Sequence, residues 1–110
     1  LPDAAAGRVV RGIGVGGRAL RRVMRHRPGT RPVPAADGVL VASTLLPTEL
    51  PLLAAAALVV ETGGPLDHVA AQARERGLPA VVGAAGALAA FADGEWVLVD
   101  GDRGVVVAAR

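Results

Sequence analysis

Short apolar runs rich in valine alternate with glycine and proline along most of the chain. Runs of about four to eight such residues, bounded by turn-forming residues, are typical of β-strands. One segment differs, because Leu66, Val69, Ala70, Ala73 and Gly77 fall within an arc about 100° wide on a helical wheel. The pattern therefore predicts a mixed α/β domain. We expect strands in residues 7–14, 38–43, 57–61, 78–83, 95–101 and 104–110, a main helix over 65–77, a short helix over 47–57 and a helical turn within 84–94.

Two further segments complete this outline. Residues 18–26 are ambiguous, because Leu20, Val23 and Met24 have helical spacing while the segment lacks the clean alternation of a strand. Residues 27–38 are rich in proline and glycine and predict a loop. The last two predicted strands flank the sequence Asp-Gly-Asp-Arg-Gly, which is typical of a tight turn, so we expect them to pair as a hairpin.

The composition fits a single globular domain of 110 residues, 52% hydrophobic and 20% charged. There is no cysteine, so we expect neither a disulfide nor a thiolate metal site. The longest apolar stretch, residues 50–60, is too short to span a membrane and no signal peptide is visible, so we expect a cytoplasmic protein. Because the chain starts with Leu1 rather than Met, we expect residues 1–110 to be one domain of a longer protein.

The charge is uneven, because residues 1–31 hold eight arginines and one acid, Asp3. Such asymmetry is found in nucleic-acid-binding proteins, but it also fits a solvated face or a surface that meets an acidic neighbouring domain. The chain has no tyrosine, one phenylalanine and one tryptophan, which leaves little for base stacking. We therefore expect neither nucleic acid nor a membrane as partner.

A glycine-rich segment near the start, GIGVGG from Gly12 to Gly17, contains the spacing G-x-G-x-x-G of dinucleotide-binding folds. The strand expected before it carries Arg8 and Arg11 and is too charged for the buried centre of such a sheet. The acid that should follow the second strand, Asp37, comes before it instead. We expect these glycines to form turns in a β-rich segment and to bind no dinucleotide.

The most informative residue is His68, one of two histidines, which follows Gly63 and Gly64 at the start of the predicted main helix. It lies opposite the apolar arc, so the usual interpretation of a lone histidine as a core residue fits poorly. An ordinary surface histidine remains an alternative. The glycines let the backbone approach a ligand, and the first turn of a helix has unpaired N–H groups that favour an anion. A phosphoryl group is such an anion.

Other site chemistries are weaker. His26 and His68 lack a convincing third ligand, so no metal site is predicted. The single serine, Ser43, has no G-x-S-x-G context, and the absence of lysine excludes a P-loop. Acid–base pairs could form among Glu61, Asp67 and Glu75, but the sequence does not fix their separation.

Residues 61–83 read ETGGPLDHVAAQARERGLPAVVG. This stretch resembles the phosphohistidine signature of the mobile domain of phosphoenolpyruvate-utilising enzymes, roughly T-x-x-G-G-x-x-[ST]-H-x-A-x-x-A-R-x-x-x-[IL]-P-A-V-V-G. The family includes phosphoenolpyruvate synthase, pyruvate phosphate dikinase, enzyme I of the bacterial sugar phosphotransferase system and rifampicin phosphotransferase. The resemblance covers about residues 38–108. It implies a swivelling β/β/α domain whose main helix carries the histidine at its N-terminus.

The resemblance also implies a function. His68 would be the catalytic residue that accepts a phosphoryl group and carries it between sites on other domains, with Gly63, Gly64, Asp67 and Arg74 as phosphoryl-binding residues. The donor would be ATP on an ATP-grasp nucleotide-binding domain, or phosphoenolpyruvate on a phosphoenolpyruvate/pyruvate barrel domain, in the same chain or a separate one. No cofactor would be bound by this domain itself, and Mg would be held with ATP or phosphoenolpyruvate by the partner domains. This domain alone would not sustain turnover.

Asp67 is the departure from the pattern that bears most on activity, because it stands where the family usually has serine, threonine or cysteine. A hydroxyl can donate to a phosphoryl oxygen, whereas an ionised carboxylate repels the incoming dianion. The carboxylate could instead hold the His68 ring in one tautomer. The alternative function is therefore a catalytically inactive relic of the same fold that acts as a docking or structural domain.

Overall fold

The computed structural model describes residues 8–26, 35–45, 55–64 and 67–109. Within them the chain is a mixed α/β domain, as the sequence predicts. In chain order the elements are β1 (Val9–Arg11), β2 (Ile13–Gly14), β3 (Arg18–His26), β4 (Ala35–Ala42), β5 (Ala55–Val60), α1 (His68–Glu75), β6 (Ala80–Val82), α2 (Ala87–Ala90), β7 (Trp96–Asp100) and β8 (Val105–Ala108).

The strands of the described residues form one eight-stranded sheet in the order β1-β8-β7-β3-β4-β5-β6-β2. Its centre, from β3 through β4 and β5 to β6, is parallel. The pairs that extend it on both sides are antiparallel. The expected hairpin is confirmed, because β7 and β8 pair antiparallel with Asp100 opposite Val105.

The first and last strands of that order, β1 and β2, are joined by a single residue, Gly12. The sheet must therefore curl until its two edges meet. Gly12 donates its N–H to the carbonyl oxygen of Gly104, 2.9 Å away, where the β7–β8 hairpin packs against this joint. A Cβ on Gly14 would overlap the carbonyl oxygen of Gly101. The early glycines thus lie in a β-rich segment, as expected, and serve this close backbone contact.

Two apolar clusters fill the space on either side of the sheet. The inner cluster lies inside the curl and is closed by Phe91 and α2. The helix-side cluster lies between α1 and the outer face of β4, β5 and β6. Strands β4, β5 and β6 are largely buried on both faces, which explains why they read as nearly continuous apolar runs, whereas the arginine-rich β3 is largely exposed. Neighbouring residues of β4 alternate between the clusters: Val39 and Val41 enter the inner one, Leu40 and Ala42 the helix-side one.

The structure corrects three boundaries of the predicted outline. Residues 18–26 form strand β3, because this segment pairs with β7 along its first half and with β4 along its second half. Residues 35–37, predicted as loop, already belong to β4. Residues 55–57, predicted as the end of a short helix, begin β5, since Ala57 pairs with Val39 of β4. The rest of that predicted helix, 47–54, lies outside the described residues.

Candidate phosphoryl-transfer site

The main helix starts later than the pattern predicts, at His68, and Asp67 is its N-cap. The Asp67 backbone is extended, and its side-chain Oδ1 accepts a hydrogen bond of 3.1 Å from the N–H of Val69. Aspartate is among the preferred N-cap residues because its oxygen satisfies an otherwise unpaired helix N–H. Residues 65 and 66, the start of the predicted helix, lie outside the described part of the chain.

The packing face of the helix agrees with the helical wheel. Val69, Ala70 and Ala73 are buried in the helix-side cluster. The helix ends at Glu75 with Arg76 as its C-cap, and Gly77 follows with φ +65, a left-handed conformation that favours glycine. Small alanines on the buried face let α1 lie close to β6, which fixes the height of its first turn above the sheet.

His68 is the first residue of this helix, and its side chain is 45% exposed. The expected position, accessible to solvent in the first helical turn, is confirmed. Its Nδ1 lies 3.0 Å from Oδ1 of Asp67. A carboxylate this close to the ring favours the tautomer with its proton on Nδ1, which leaves Nε2 of the neutral ring with its lone pair.

The two glycines before the helix hold Asp67 in place. Gly63 has φ +106, and a Cβ built on it would overlap Oδ2 of Asp67. Gly64 accepts a hydrogen bond of 3.1 Å from the N–H of Asp67. A Cβ on Gly64 would meet no atom of the described residues within 4 Å. Only Gly63 is therefore required by local geometry, since it provides the space that the carboxylate occupies.

The structure separates Arg74 from the rest of the predicted site. It lies in the last turn of α1, six positions after His68, which is about 9 Å along the helix axis. Its assignment to phosphoryl binding stays a prediction that this placement does not support. Gln72 and Glu75 are partly or fully exposed on the same helix.

Glu61, considered as an acid or base, has a structural contact instead. Its Oε2 accepts a hydrogen bond of 3.0 Å from the N–H of Leu88 and so ties the end of β5 to α2. Nothing in the sequence indicates this contact, because the two residues are distant in the chain. The N-cap role of Asp67, by contrast, had a sequence signal: an aspartate directly before a helix. The predicted helix begins at residue 65, which places Asp67 inside the helix instead of at its N-cap.

Comparison with known proteins decides the family. Residues 34–104 match the family model described as PEP-utilising enzyme, mobile domain. The chain belongs to this family. The matched region includes β4 to β7 and the whole of α1, so the mobile-domain signature and the helix that carries His68 coincide.

Curated relatives of this mobile domain are much longer proteins. The mobile domain is 51% identical over 69 residues to chondramide synthase cmdD of Chondromyces crocatus, and the match covers 62% of this chain and 2% of the relative. It is 46% identical over 71 residues to a phosphoenolpyruvate synthase of Aeropyrum pernix, covering 64% and 9%. It is 37% identical over 97 residues to a multiphosphoryl transfer protein of Rhodobacter capsulatus, covering 86% and 12%. The mobile domain thus spans an eighth or less of these relatives.

Solved structures share the fold. An NMR structure of Enzyme I (nEIt) superposes with a TM-score of 0.59 and 30% identity, covering 64% of this mobile domain and 30% of that chain. Aconitase X of Thermococcus kodakaraensis gives a TM-score of 0.72 over 94% of this chain and 100% of that chain. At 19% identity, the second comparison concerns the fold alone. Among the residues that the structure describes, no helix is long and apolar enough to cross a membrane.

Proposed function

We propose that this mobile domain is a phosphoryl carrier in which Nε2 of His68 accepts a phosphoryl group on one partner domain and delivers it at a second site. The observation that carries the proposal is the 3.0 Å contact between Nδ1 of His68 and Oδ1 of Asp67. The contact favours one tautomer and one orientation of an exposed imidazole. A nucleophile held in one geometry loses less entropy when it reaches its transition state.

The chemical step is an in-line displacement. The lone pair of Nε2 attacks the phosphorus of the donor, and the bond from phosphorus to the leaving oxygen breaks. Its electron pair stays on that oxygen, which belongs to ADP or to enolpyruvate. Asp67 keeps the proton at Nδ1 and faces the positive charge that develops on the ring. Delivery to the acceptor reverses the roles, with the acceptor oxygen as nucleophile and neutral His68 as leaving group. Positioning and charge stabilisation carry most of such a reaction.

The surroundings of His68 support a site that opens toward a partner. The ring lies at the N-terminus of α1, whose dipole favours a negative group. Its exposure leaves room for a donor to approach. In this proposal the donor is ATP held with Mg on an ATP-grasp domain, or phosphoenolpyruvate on a barrel domain. The mobile domain supplies the acceptor and no cofactor, so turnover needs those domains.

A second function, a docking domain without phosphoryl transfer, is favoured by one contact. Oδ1 of Asp67 also accepts from the N–H of Val69, at 3.1 Å. In this arrangement the carboxylate accepts the hydrogen bond of a helix N–H to which a phosphoryl oxygen could otherwise bind. Its negative charge also repels the phosphoryl dianion. The two functions make opposite predictions for phosphorylation, so one labelling experiment separates them.

The experiment uses the full-length protein with its flanking domains, incubated with γ-labelled ATP or with labelled phosphoenolpyruvate. We expect an acid-labile, base-stable adduct that is lost in His68→Ala. Because His26 is buried at the end of β3, both His26→Ala and the more conservative His26→Gln serve as controls, and a folded control keeps the label. Phosphorus–nitrogen NMR is expected to place the group on Nε2. No label on wild type or Asp67→Ser, with a donor domain shown to cleave its substrate, would establish the docking function instead.

A further inference from the structure

The outer face of the sheet carries a row of partly exposed apolar residues on strands that α1 does not cover. Four residues lie directly opposite one another across β1, β8, β7 and β3: Val9, Val107, Leu98 and Leu20. Val9 is 44% exposed and Leu20 is 47% exposed. Their neighbours along each strand enter the inner cluster, so this row lies on the outer face of the sheet. We call these four residues the outer row.

Trp96 and arginines flank the outer row. Trp96, 43% exposed, lies two residues from Leu98 on β7 and is opposite Arg22 on β3. The guanidinium of Arg22 stacks over the tryptophan ring, 5.1 Å from its centroid. Arg11 continues the same face on β1 and is exposed. Tryptophan and arginine around an apolar centre are the residues that contribute most to protein interfaces.

The charge of this face is one-sided. Asp100, the acid on this face of β7, is 4% exposed and is already engaged by Arg18 at 3.4 Å and by the N–H groups of Asp102 and Arg103. The exposed Asp102, in the turn after β7, lies 3.9 Å from the same Arg18. Arg11 and Arg22 have no ion pair with any described residue. A second copy of the same face would bring like charges together. The complementary surface therefore has an apolar centre with carboxylates around it.

The path of the chain indicates where this surface comes from. The described residues begin just before β1 and end just after β8, and Val9 of β1 is paired with Val107 of β8. Both ends of the described part of the chain therefore lie beside the outer row. A domain joined there by a short linker has a high effective concentration at this face. The relatives, in which the matched region is a small part of a long chain, have such domains available.

We propose that the outer row and its arginines form the docking face for an acid-rimmed domain of the same polypeptide. This face is distinct from the His68 site, since α1 covers β4, β5 and β6 whereas the outer row lies on β1, β8, β7 and β3. Docking there leaves the first turn of α1 uncovered. The proposal rests on the expectation of flanking domains, not on phosphoryl transfer by His68.

The test uses the full-length protein, in which this domain contributes no native cysteine. Leu20→Cys reports on the outer row, and Glu75→Cys, exposed on α1, is the matched control. The rate of maleimide modification of each cysteine is measured by peptide mass spectrometry. Each rate in the folded protein is divided by the rate for the same cysteine in denaturant. We expect position 20 to react at least about tenfold more slowly than position 75 on this scale. Adding Arg11→Glu and Arg22→Glu is expected to abolish that difference, and about 1 M salt to reduce it.

Other results overturn the proposal. Equal normalised rates at positions 20 and 75 mean that no domain covers the row. If protection of position 20 from maleimide rises with protein concentration, a second copy of the chain covers the row. If this protection appears only with anionic phospholipid vesicles, a membrane covers it. Protection that persists after both charge reversals excludes an acidic partner. A gene that encodes no flanking domain excludes the proposal directly. Because no readout involves phosphoryl transfer, failure here is distinguishable from failure of the carrier function.

Discussion

Gly63 and Asp67 are fitted to each other: Oδ2 of Asp67 occupies the place that a side chain on Gly63 would need. The carboxylate reaches this place because Gly63 has φ +106, a conformation that other residues rarely adopt. The same carboxylate caps α1 and contacts His68 through its other oxygen. The glycine, the cap and the candidate nucleophile therefore form one unit.

Gly63→Ala is expected to lower the free energy of unfolding by about 2 kcal/mol, because it adds backbone strain and displaces Asp67. Phosphoryl labelling of His68 is expected to fall with it. Chemical denaturation and the labelling assay measure the two effects. Gly64→Ala is the matched control, since its Cβ meets no atom of the described residues within 4 Å, and its unfolding free energy should change by less than about 0.5 kcal/mol. Equal effects of the two substitutions would contradict the fit between Gly63 and Asp67.

Asp67→Ser tests how the carboxylate acts on the reaction. If it orients His68, as the 3.0 Å contact indicates, the substitution removes the acceptor at Nδ1 and should slow labelling by about tenfold. Asp67→Asn keeps an amide oxygen that can face Nδ1 of His68 without the negative charge, and it should label faster than Asp67→Ser. Rapid-quench measurement of the adduct gives the rates. Faster labelling of Asp67→Ser than of wild type would show that charge repulsion outweighs orientation.

The capping role of Asp67 is measured separately through stability. Asp67→Ala removes the hydrogen bond to the N–H of Val69 and should lower the unfolding free energy by about 1 kcal/mol. Asp67→Ser restores a capping oxygen and should recover most of that loss. Urea denaturation followed by circular dichroism distinguishes the variants. A stable Asp67→Ala would mean that the cap contributes nothing to the folded state.

The early glycines give a further prediction. Gly14→Ala should destabilise the domain by more than about 3 kcal/mol, because its Cβ would overlap backbone atoms of Gly101 that have no flexible end to move aside. Gly16→Ala, whose Cβ would approach only Asp102 at 4.0 Å, should cost about 1–2 kcal/mol through its φ of +90. Wild-type protein should give no saturable heat with NAD or NADP. Saturable binding that is lost in a folded Gly14→Ala variant would restore the dinucleotide interpretation.

The order of residues within single segments was enough to predict those parts of the fold that depend on neighbouring residues. The buried face of α1 followed from the spacing of Val69, Ala70 and Ala73, and the hairpin followed from its turn residues. Strand β3 could not be predicted this way. Its arginines leave no clean alternation, and its extended form is set by β7 on one side and β4 on the other. Pairing between distant segments overrides weak local preference.

The site shows the same division. The sequence indicated His68 and the glycines, because histidine, glycine pair and helix start are neighbours in the chain. It left the contact of Asp67 with His68 as one alternative and did not predict that Asp67 also caps the helix at Val69, since that depends on the exact first residue of the helix. The contact from Glu61 to Leu88 depends on how α2 returns to the end of β5, which no local spacing reveals.

The joint at Gly12 has a consequence for the behaviour of the domain in a crowded cell. An open sheet presents unpaired N–H and C=O groups at its outermost strands, and these recruit strands from other molecules. Here the outermost strands are only three and two residues long and are consecutive in the chain. They follow one another through Gly12, so the sheet presents no long open edge. The short edges thereby protect the domain against edge-to-edge aggregation.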